Sequence, residues 1–123
     1  MRALIVDDSS FIREYLRYLL SGMDIVCEEA VDGNEALAVL AAEEAFDLML
    51  LDVNMPVMNG LECVKTLREA KLGPAMKVMM VTTEADHSFI TEALDNGADE
   101  FLMKPFTPES LREKMLLLGV LAA

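Results

Sequence analysis

The 123-residue sequence has few of the residues that several kinds of site require. It contains one histidine and two cysteines, which excludes zinc sites built on several histidines or four thiolates, and also a disulfide framework. Lys and Arg number 10 against 22 Asp and Glu, so the net charge is −12. Binding to nucleic acids, or to a membrane through a basic face, needs the cationic surface that this chain lacks.

Long hydrophobic runs are also missing. No segment reaches the roughly 18 apolar residues of a membrane-spanning helix, so we expect no membrane insertion. The apolar start of the chain meets Asp7 too early to form the core of a signal peptide. With its scarce cysteines, the chain is therefore predicted to be cytoplasmic. Cys27 and Cys63 are expected to be small buried hydrophobes.

The composition is that of one folded domain. Hydrophobic residues make up 54% and charged residues 26%, which excludes intrinsic disorder. At roughly 100–200 residues per domain, residues 1–123 are predicted to form a single domain. A chain of this length can bury about two thirds of its unfolded surface.

Short apolar runs alternate with segments of helical periodicity. Strands are predicted over residues 4–6, 25–30, 48–51, 78–81 and 100–103, and helices over 11–20, 35–42, 61–67, 89–94 and 108–118. Five strands alternating with five helices predict an α/β fold, a parallel sheet with helices on both faces. Glu28 and Glu29 favour an edge position for the second strand, and Arg68 is expected to point to solvent.

Four of the predicted strands end in polar residues that can do chemistry. Asp7 and Asp8 follow the first strand, Asp52 the third, Thr82 the fourth and Lys104 the fifth. Carboxyl ends of parallel strands border the cleft in which ligands bind, so these side chains are expected to converge. Singly, each has a plainer interpretation: a helix cap, a turn residue or a solvated lysine. Their conjunction favours a site.

The chemistry of this cluster points to a metal ion and a phosphoryl group. Three adjacent carboxylates repel one another unless a cation is present, and an all-oxygen site suits Mg²⁺. Lys104 offers an ammonium group for a phosphoryl or carboxylate oxygen, and the Thr82 hydroxyl can donate a hydrogen bond to a phosphoryl oxygen. Asp52 is then a candidate nucleophile that forms an aspartyl phosphate.

The sequence closely resembles the receiver domain of two-component response regulators over essentially its whole length. The resemblance rests on four motifs, Val-Asp-Asp-Ser at 6–9, Leu-Asp-Val-Asn-Met-Pro-Val-Met-Asn-Gly at 51–60, Val-Thr-Thr-Glu at 81–84 and Lys-Pro-Phe at 104–106. It implies the flavodoxin-like, CheY-like fold with strand order 2-1-3-4-5, an order that periodicity alone does not give. It also implies a cis peptide bond between Lys104 and Pro105.

Residue roles follow from the same resemblance. Asp52 would be the phosphoacceptor. The Mg²⁺ ligands would be Asp7, Asp8, Asp52 and the carbonyl of Asn54. Thr82 and Lys104 would contact the phosphoryl group. Phe101 would be the aromatic switch residue that moves together with Thr82. These roles imply a signalling switch that catalyses only its own phosphorylation and dephosphorylation, not an enzyme with a separate substrate.

The resemblance further implies partners. A histidine kinase would phosphorylate the chain, and helix four, strand five and helix five would then present a changed surface to a protein target. A monomer or a weak phosphorylation-dependent dimer is expected. The chain is similar to the stand-alone CheY-like type, which implies chemotaxis signalling, although CheY proteins usually have tyrosine at the position of Phe101, and Thr83 is bulkier than the residue often found there. A phosphorelay shuttle and a receiver excised from a longer regulator remain open.

Functions of three other classes are alternatives. A phosphatase with an Asp nucleophile typically carries a second Asp two positions later, where this chain has Asn54. A flavodoxin-like FMN site needs a phosphate-binding first loop, which Asp7 and Asp8 would repel. A structural adaptor would not need the complete set of Asp8, Asp52, Thr82 and Lys104, and failure to bind Mg²⁺ would support it.

Overall fold

The structure, a computed structural model, describes residues 1–43 and 46–121, apart from the side chains of residues 84, 86 and 87. In the described part, five strands form one parallel sheet in the order β2-β1-β3-β4-β5, as predicted. The strands are β1 (Arg2–Val6), β2 (Val26–Ala30), β3 (Leu48–Asp52), β4 (Lys77–Thr83) and β5 (Glu100–Lys104). The helices are α1 (Ser10–Ser21), α2 (Gly33–Ala42), α3 (Gly60–Glu69), α4 (Ile90–Asp95) and α5 (Pro108–Leu118).

Helices cover both faces of the sheet and divide the core into two clusters. Met49 and Leu51 of β3 belong to the cluster that includes α2, α3 and α4, whereas Leu48 and Leu50 belong to the cluster that includes α1 and α5. Successive side chains of a strand point to opposite faces. A central parallel strand is therefore apolar along its whole length, because both of its faces are buried.

Polar caps define where the helices begin. The Ser9 side chain accepts a hydrogen bond from the backbone N–H of Ile12, so Ser9 caps α1 and leaves the two preceding aspartates available. Asn59 and Glu62 form a reciprocal capping box at the start of α3. This cap places the start of α3 directly after the loop that follows β3.

Both cysteines are buried, as predicted. Cys27 and Cys63 are buried, and burial raises the pKa of both thiols, that of Cys63 to about 12. Both are therefore protonated and unreactive at neutral pH.

Strand β2 lies at an edge of the sheet, as predicted, and pairs with β1. Among the described residues, no helix is both long and apolar enough to cross a membrane.

The expectation that Arg68 points to solvent is wrong. Its guanidinium group donates hydrogen bonds to the backbone carbonyls of Gly97, Gly73 and Met76, at 3.1, 3.3 and 3.1 Å, and pairs with Asp99 at 3.2 Å. Helical periodicity describes only how α3 itself packs. It does not reveal the carbonyls of neighbouring loops, which is why this role was missed.

Two side chains at apolar positions of the predicted helices are exposed. Phe11 fits the apolar periodicity of α1, but its side chain is 73% exposed, because it lies in the first turn near the edge of the sheet that carries the polar strand ends. The helix predicted over residues 89–94 is present as the short α4, and a 3₁₀ helix over Glu84–Phe89 precedes it. Leu94 is also exposed.

Candidate functional site

The carboxyl ends of β1, β3, β4 and β5 meet along one edge of the sheet. Strand β3 lies between β1 and β4, so Asp52 at its end occupies the middle of this edge. In the register of the sheet, Asp52 is opposite Val81, and Thr83 is opposite Lys104. The parallel pairing thus places residues that are distant in sequence beside one another, as the sequence predicts.

Three carboxylates form the acidic part of the site. Asp7, Asp8 and Asp52 each offer an oxygen, and these oxygens lie within 4.8 Å of one another. Asp7 and Asp52 are 2% and 6% exposed, whereas Asp8 is open to solvent. A cluster of oxygen donors with one open side fits a hard cation such as Mg²⁺, which retains several of its waters.

Lys104 is an integral part of this cluster and not a solvated surface lysine. Its Nζ lies 3.2 Å from Oδ2 of Asp7 and 3.4 Å from Oδ1 of Asp52. Burial alone would lower the pKa of Lys104, but the charges of Asp52 and Asp7 outweigh it, and the net shift is upward. Lys104 is therefore charged at neutral pH and is placed to meet an anionic group bound to Asp52.

The surroundings of Asp52 disfavour the ionised form of its carboxyl group. Burial and the charge of Asp7 raise the pKa of Asp52 from an ordinary 3.8 to about 6, although Lys104 and a backbone hydrogen bond from Asn54 lower it. A cation beside the carboxylate favours the ionised form. A divalent cation bound in this site would thus increase the ionised fraction of Asp52 at neutral pH.

The loop after β3 is held tightly against Asp52. The N–H of Gly60 donates to the carbonyl of Val53 at 2.8 Å, and a Cβ atom on residue 60 would lie only 2.4 Å from the backbone oxygen of Asp52. Only glycine therefore fits at this position. The side chain of Asn54 is exposed, and the Asn54 carbonyl as a metal ligand stays a prediction.

Thr82 and Phe101 lie on the same face of the sheet. Thr82 is buried, and its hydroxyl donates to the carbonyl of Thr83 at 3.1 Å. Phe101 is opposite Met80, two residues before Thr82, so the two side chains are diagonal neighbours on adjacent strands. The Phe101 ring is half-buried, and Nζ of Lys114 lies 4.5 Å from its centroid.

Sequence reasoning missed one residue that contacts the acidic cluster. Arg13, in the second turn of α1, donates from Nη1 to the backbone carbonyl of Asp7 at 2.7 Å and from Nε to Glu29 at 2.9 Å. The available signal was an arginine one turn after the Ser9 cap, together with an acid on the neighbouring edge strand.

The predicted Lys104-Pro105 cis peptide bond is present.

Comparisons with known proteins agree with this geometry. The family described as "Response regulator receiver domain" matches residues 3–116. A chemotaxis protein CheY homolog of Campylobacter jejuni is 42% identical over 117 residues, which cover 94% of this chain and 89% of the relative. The structure of Vibrio cholerae chemotaxis protein CheY4 superposes with a TM-score of 0.86 at 38% identity and covers 94% of this chain and 96% of CheY4.

A longer protein also contains a similar domain. The structure of a probable two-component system response regulator/GGDEF domain protein has a TM-score of 0.89 at 30% identity. The match covers 98% of this chain and 50% of that one. A domain of this shape therefore occurs both as most of a small protein and as half of a larger one.

Proposed function

The chain belongs to the response regulator receiver family, and from that premise we propose that it is a single receiver domain over residues 1–123 that accepts a phosphoryl group on Asp52. Receiver domains act as signalling switches, which is how we class this protein. The observation that carries the proposal is the position of Asp52, buried beside Lys104 and within reach of two further carboxylates.

The proposed reaction is a phosphoryl transfer from a phosphohistidine of a histidine kinase. An ionised oxygen of Asp52 attacks phosphorus as the N–P bond breaks, and the imidazole nitrogen keeps the bonding electrons and takes a proton from water. Mg²⁺, held by Asp7, Asp8, Asp52 and the Asn54 carbonyl, would supply charge neutralisation for the phosphoryl oxygens. Lys104 and the Thr82 hydroxyl would bind those oxygens through charge and a hydrogen bond.

The proposed switch follows from the charge that phosphorylation adds. A phosphoryl group carries about −1.5 to −2 charges, which would draw Lys104 and Thr82 towards Asp52. Movement of Thr82 would leave space on the face of the sheet that it shares with Phe101, and the ring would turn inward. The surface formed by α4, β5 and α5 would thereby change for a protein target.

We infer chemotaxis-type signalling as the pathway. The support is that the match to the Campylobacter jejuni CheY homolog covers 94% of this chain and 89% of the relative. The alternative is a phosphorelay shuttle or a receiver from a longer regulator. The match to half of a response regulator/GGDEF domain protein supports the second of these. In either case we expect a cytoplasmic protein that is a monomer or a weak phosphorylation-dependent dimer.

The test is the intact mass of the protein after incubation with acetyl phosphate, with and without Mg²⁺. The proposal predicts one phosphoryl adduct that requires Mg²⁺, is present in wild type and is absent in Asp52→Asn. Asp95→Asn is a matched control, because Asp95 is an exposed aspartate at the end of α4, and it should behave as wild type. No adduct in wild type, with Mg²⁺ binding demonstrated separately, would make the adaptor function the better account.

A further inference from the structure

Arg13 connects the acidic cluster to the edge strand β2. Its side chain is 15% exposed and makes two charge-assisted hydrogen bonds in different directions. Nη1 donates to the backbone carbonyl of Asp7 at 2.7 Å, and Nε donates to Oε1 of Glu29 at 2.9 Å. One planar guanidinium group thus links the end of β1 to β2.

The contact with Asp7 fixes a peptide group inside the site. The Asp7 carbonyl belongs to the peptide that joins Asp7 to Asp8, so its orientation determines how the two acids are placed relative to each other. The other polar groups of Asp7 are also bound. Its N–H donates to Ala30 at 3.2 Å, and its carboxylate accepts from the Ser9 N–H at 2.9 Å and from Lys104 at 3.2 Å.

Glu29 holds Arg13 in place. Its second oxygen, Oε2, accepts from Nε of Arg17 at 2.7 Å, so the two arginines bind different oxygens of the carboxylate. Burial would raise the pKa of Glu29, but the hydrogen bonds and charges of Arg17 and Arg13 outweigh it and lower the value. Within the described residues, Arg17 hydrogen-bonds Glu29 and not Asp7, which makes it a natural control.

We propose that Arg13, anchored by Glu29, is a positioning residue that orients Asp7 and Asp8 for binding a divalent cation. This inference rests on the proposed function. The positioning role requires a guanidinium group, because one rigid planar group must donate two hydrogen bonds in different directions. The point-like ammonium group of lysine does not reproduce this geometry.

Charge alone predicts the opposite effect. A cationic side chain beside a cation site weakens cation binding by repulsion, so its removal should strengthen binding. If Arg13 positions the acids, its removal weakens binding instead. The sign of the change therefore separates positioning from simple electrostatics.

The experiment measures the Mg²⁺ dissociation constant by calorimetry for wild type, Arg13→Lys, Arg13→Met and Arg17→Met. Loss of a group that orients a metal ligand costs about 10–100-fold in metal affinity. For both Arg13 variants we expect Mg²⁺ binding to be about tenfold weaker. This is the lower end of that range, because Arg13 contacts the backbone of Asp7 and not a ligand oxygen. Arg17→Met should bind Mg²⁺ as tightly as wild type or slightly more tightly.

A second readout separates positioning from general damage to the fold. The Mg²⁺ concentration for half-maximal phosphorylation by acetyl phosphate should rise about tenfold in Arg13→Lys, while the maximal rate at saturating Mg²⁺ stays near that of wild type. Arg13→Lys keeps the charge and most of the stem, so it carries the test if Arg13→Met does not fold.

The outcomes are distinct. Arg13→Lys with the affinity of wild type, or Arg13→Met with tighter binding, would overturn the positioning role and leave the proposed function intact. A wild type that binds no Mg²⁺ would contradict both.

Discussion

The Nζ atom of Lys104 lies 3.4 Å from Oδ1 of Asp52, although 52 positions separate the two residues in the sequence. The contact forms because β3 and β5 both end at the same edge of the parallel sheet. Lys104 also pairs with Asp7, so a single cation lies between two buried carboxylates. In the proposed reaction, this is the charge that the incoming phosphoryl group meets.

Removing that charge should make Asp52 harder to ionise. In metal-free Lys104→Met, the pKa of Asp52 should rise above the value of about 6, because Lys104 lowers it and burial and Asp7 raise it. The measurement is the ¹³Cγ chemical shift of Asp52 as a function of pH. Lys114→Met is the control, since Lys114 pairs with Glu100. An unchanged titration in Lys104→Met would contradict the electrostatic account.

Neutralising Asp52 should stabilise the metal-free protein at pH 7. The folded-state pKa of Asp52 lies above its ordinary 3.8, so its stabilising contribution is present below pH 3.8 and is lost as the pH rises through about 6. Asp52→Asn avoids that loss and should raise the free energy of unfolding at pH 7 by about 1–3 kcal/mol.

The measurement for Asp52→Asn is urea unfolding in EDTA at several pH values. The advantage of the variant should shrink towards pH 4, and saturating Mg²⁺ should reduce or reverse it, because the ion stabilises the folded wild type. A variant less stable than wild type at pH 7 in EDTA would be inconsistent with a raised pKa.

Glu29 should show the opposite pH dependence. Its pKa is lowered from an ordinary 4.5, so its contribution to stability is present above pH 4.5 and is lost as the pH falls through the folded-state value. Glu29→Gln should cost about 1 kcal/mol at neutral pH, since the ion pairs are only partly buried.

Urea unfolding of wild type and Glu29→Gln at pH 7 and near pH 3 measures this difference. The cost should nearly vanish at the lower pH. Glu28→Gln is a matched control, because Glu28 is the preceding residue of β2, is exposed and lies 3.6 Å from Arg2. An equal cost of Glu29→Gln at both pH values would argue against an ionic role.

Gly60 should tolerate no side chain. An added Cβ would meet the backbone oxygen of Asp52 at 2.4 Å and the Cα of Val53 at 2.9 Å, and the backbone cannot move aside as a flexible side chain can. Gly60→Ala should therefore destabilise the protein by about 1–3 kcal/mol, the usual cost of overpacking. It should also slow phosphorylation, because the loop that carries Asn54 must shift.

The control for this substitution is Gly22→Ala. Gly22 has a right-handed backbone, with φ of −65°, and its nearest contact for a Cβ is an ordinary 3.4 Å. Thermal unfolding of both variants should separate them clearly. Equal stability would mean that the loop after β3 is more adaptable than the contacts at residue 60 indicate.

The acidic cluster could be predicted from the sequence because of how parallel strands are built. Asp52, Thr82 and Lys104 each end a hydrophobic run, and a parallel sheet brings such ends to the same edge in any strand order. The order itself came from the resemblance to receiver domains, since periodicity does not determine which strands are neighbours. The burial of both cysteines could be predicted because free cysteine behaves as a small hydrophobe and is among the most buried residue types.

The arginine contacts could not be predicted. Arg13 and Arg68 both donate to backbone carbonyls, of Asp7 and of Gly73, Gly97 and Met76. Every residue has a carbonyl, so the sequence carries no sign of which one will be left without a backbone partner. Such contacts depend on where a strand or loop ends in three dimensions, and they become visible only in the folded chain.

The central claim is that Asp52 is the group that carries the phosphoryl. The most direct test is to phosphorylate the protein with acetyl phosphate and Mg²⁺, reduce it with borohydride and sequence its peptides by mass spectrometry. Borohydride converts an aspartyl phosphate to homoserine, so the modified position is recorded covalently. The account predicts homoserine at position 52 and aspartate at positions 7 and 8. Homoserine at position 7 or 8, or at no position, would contradict it.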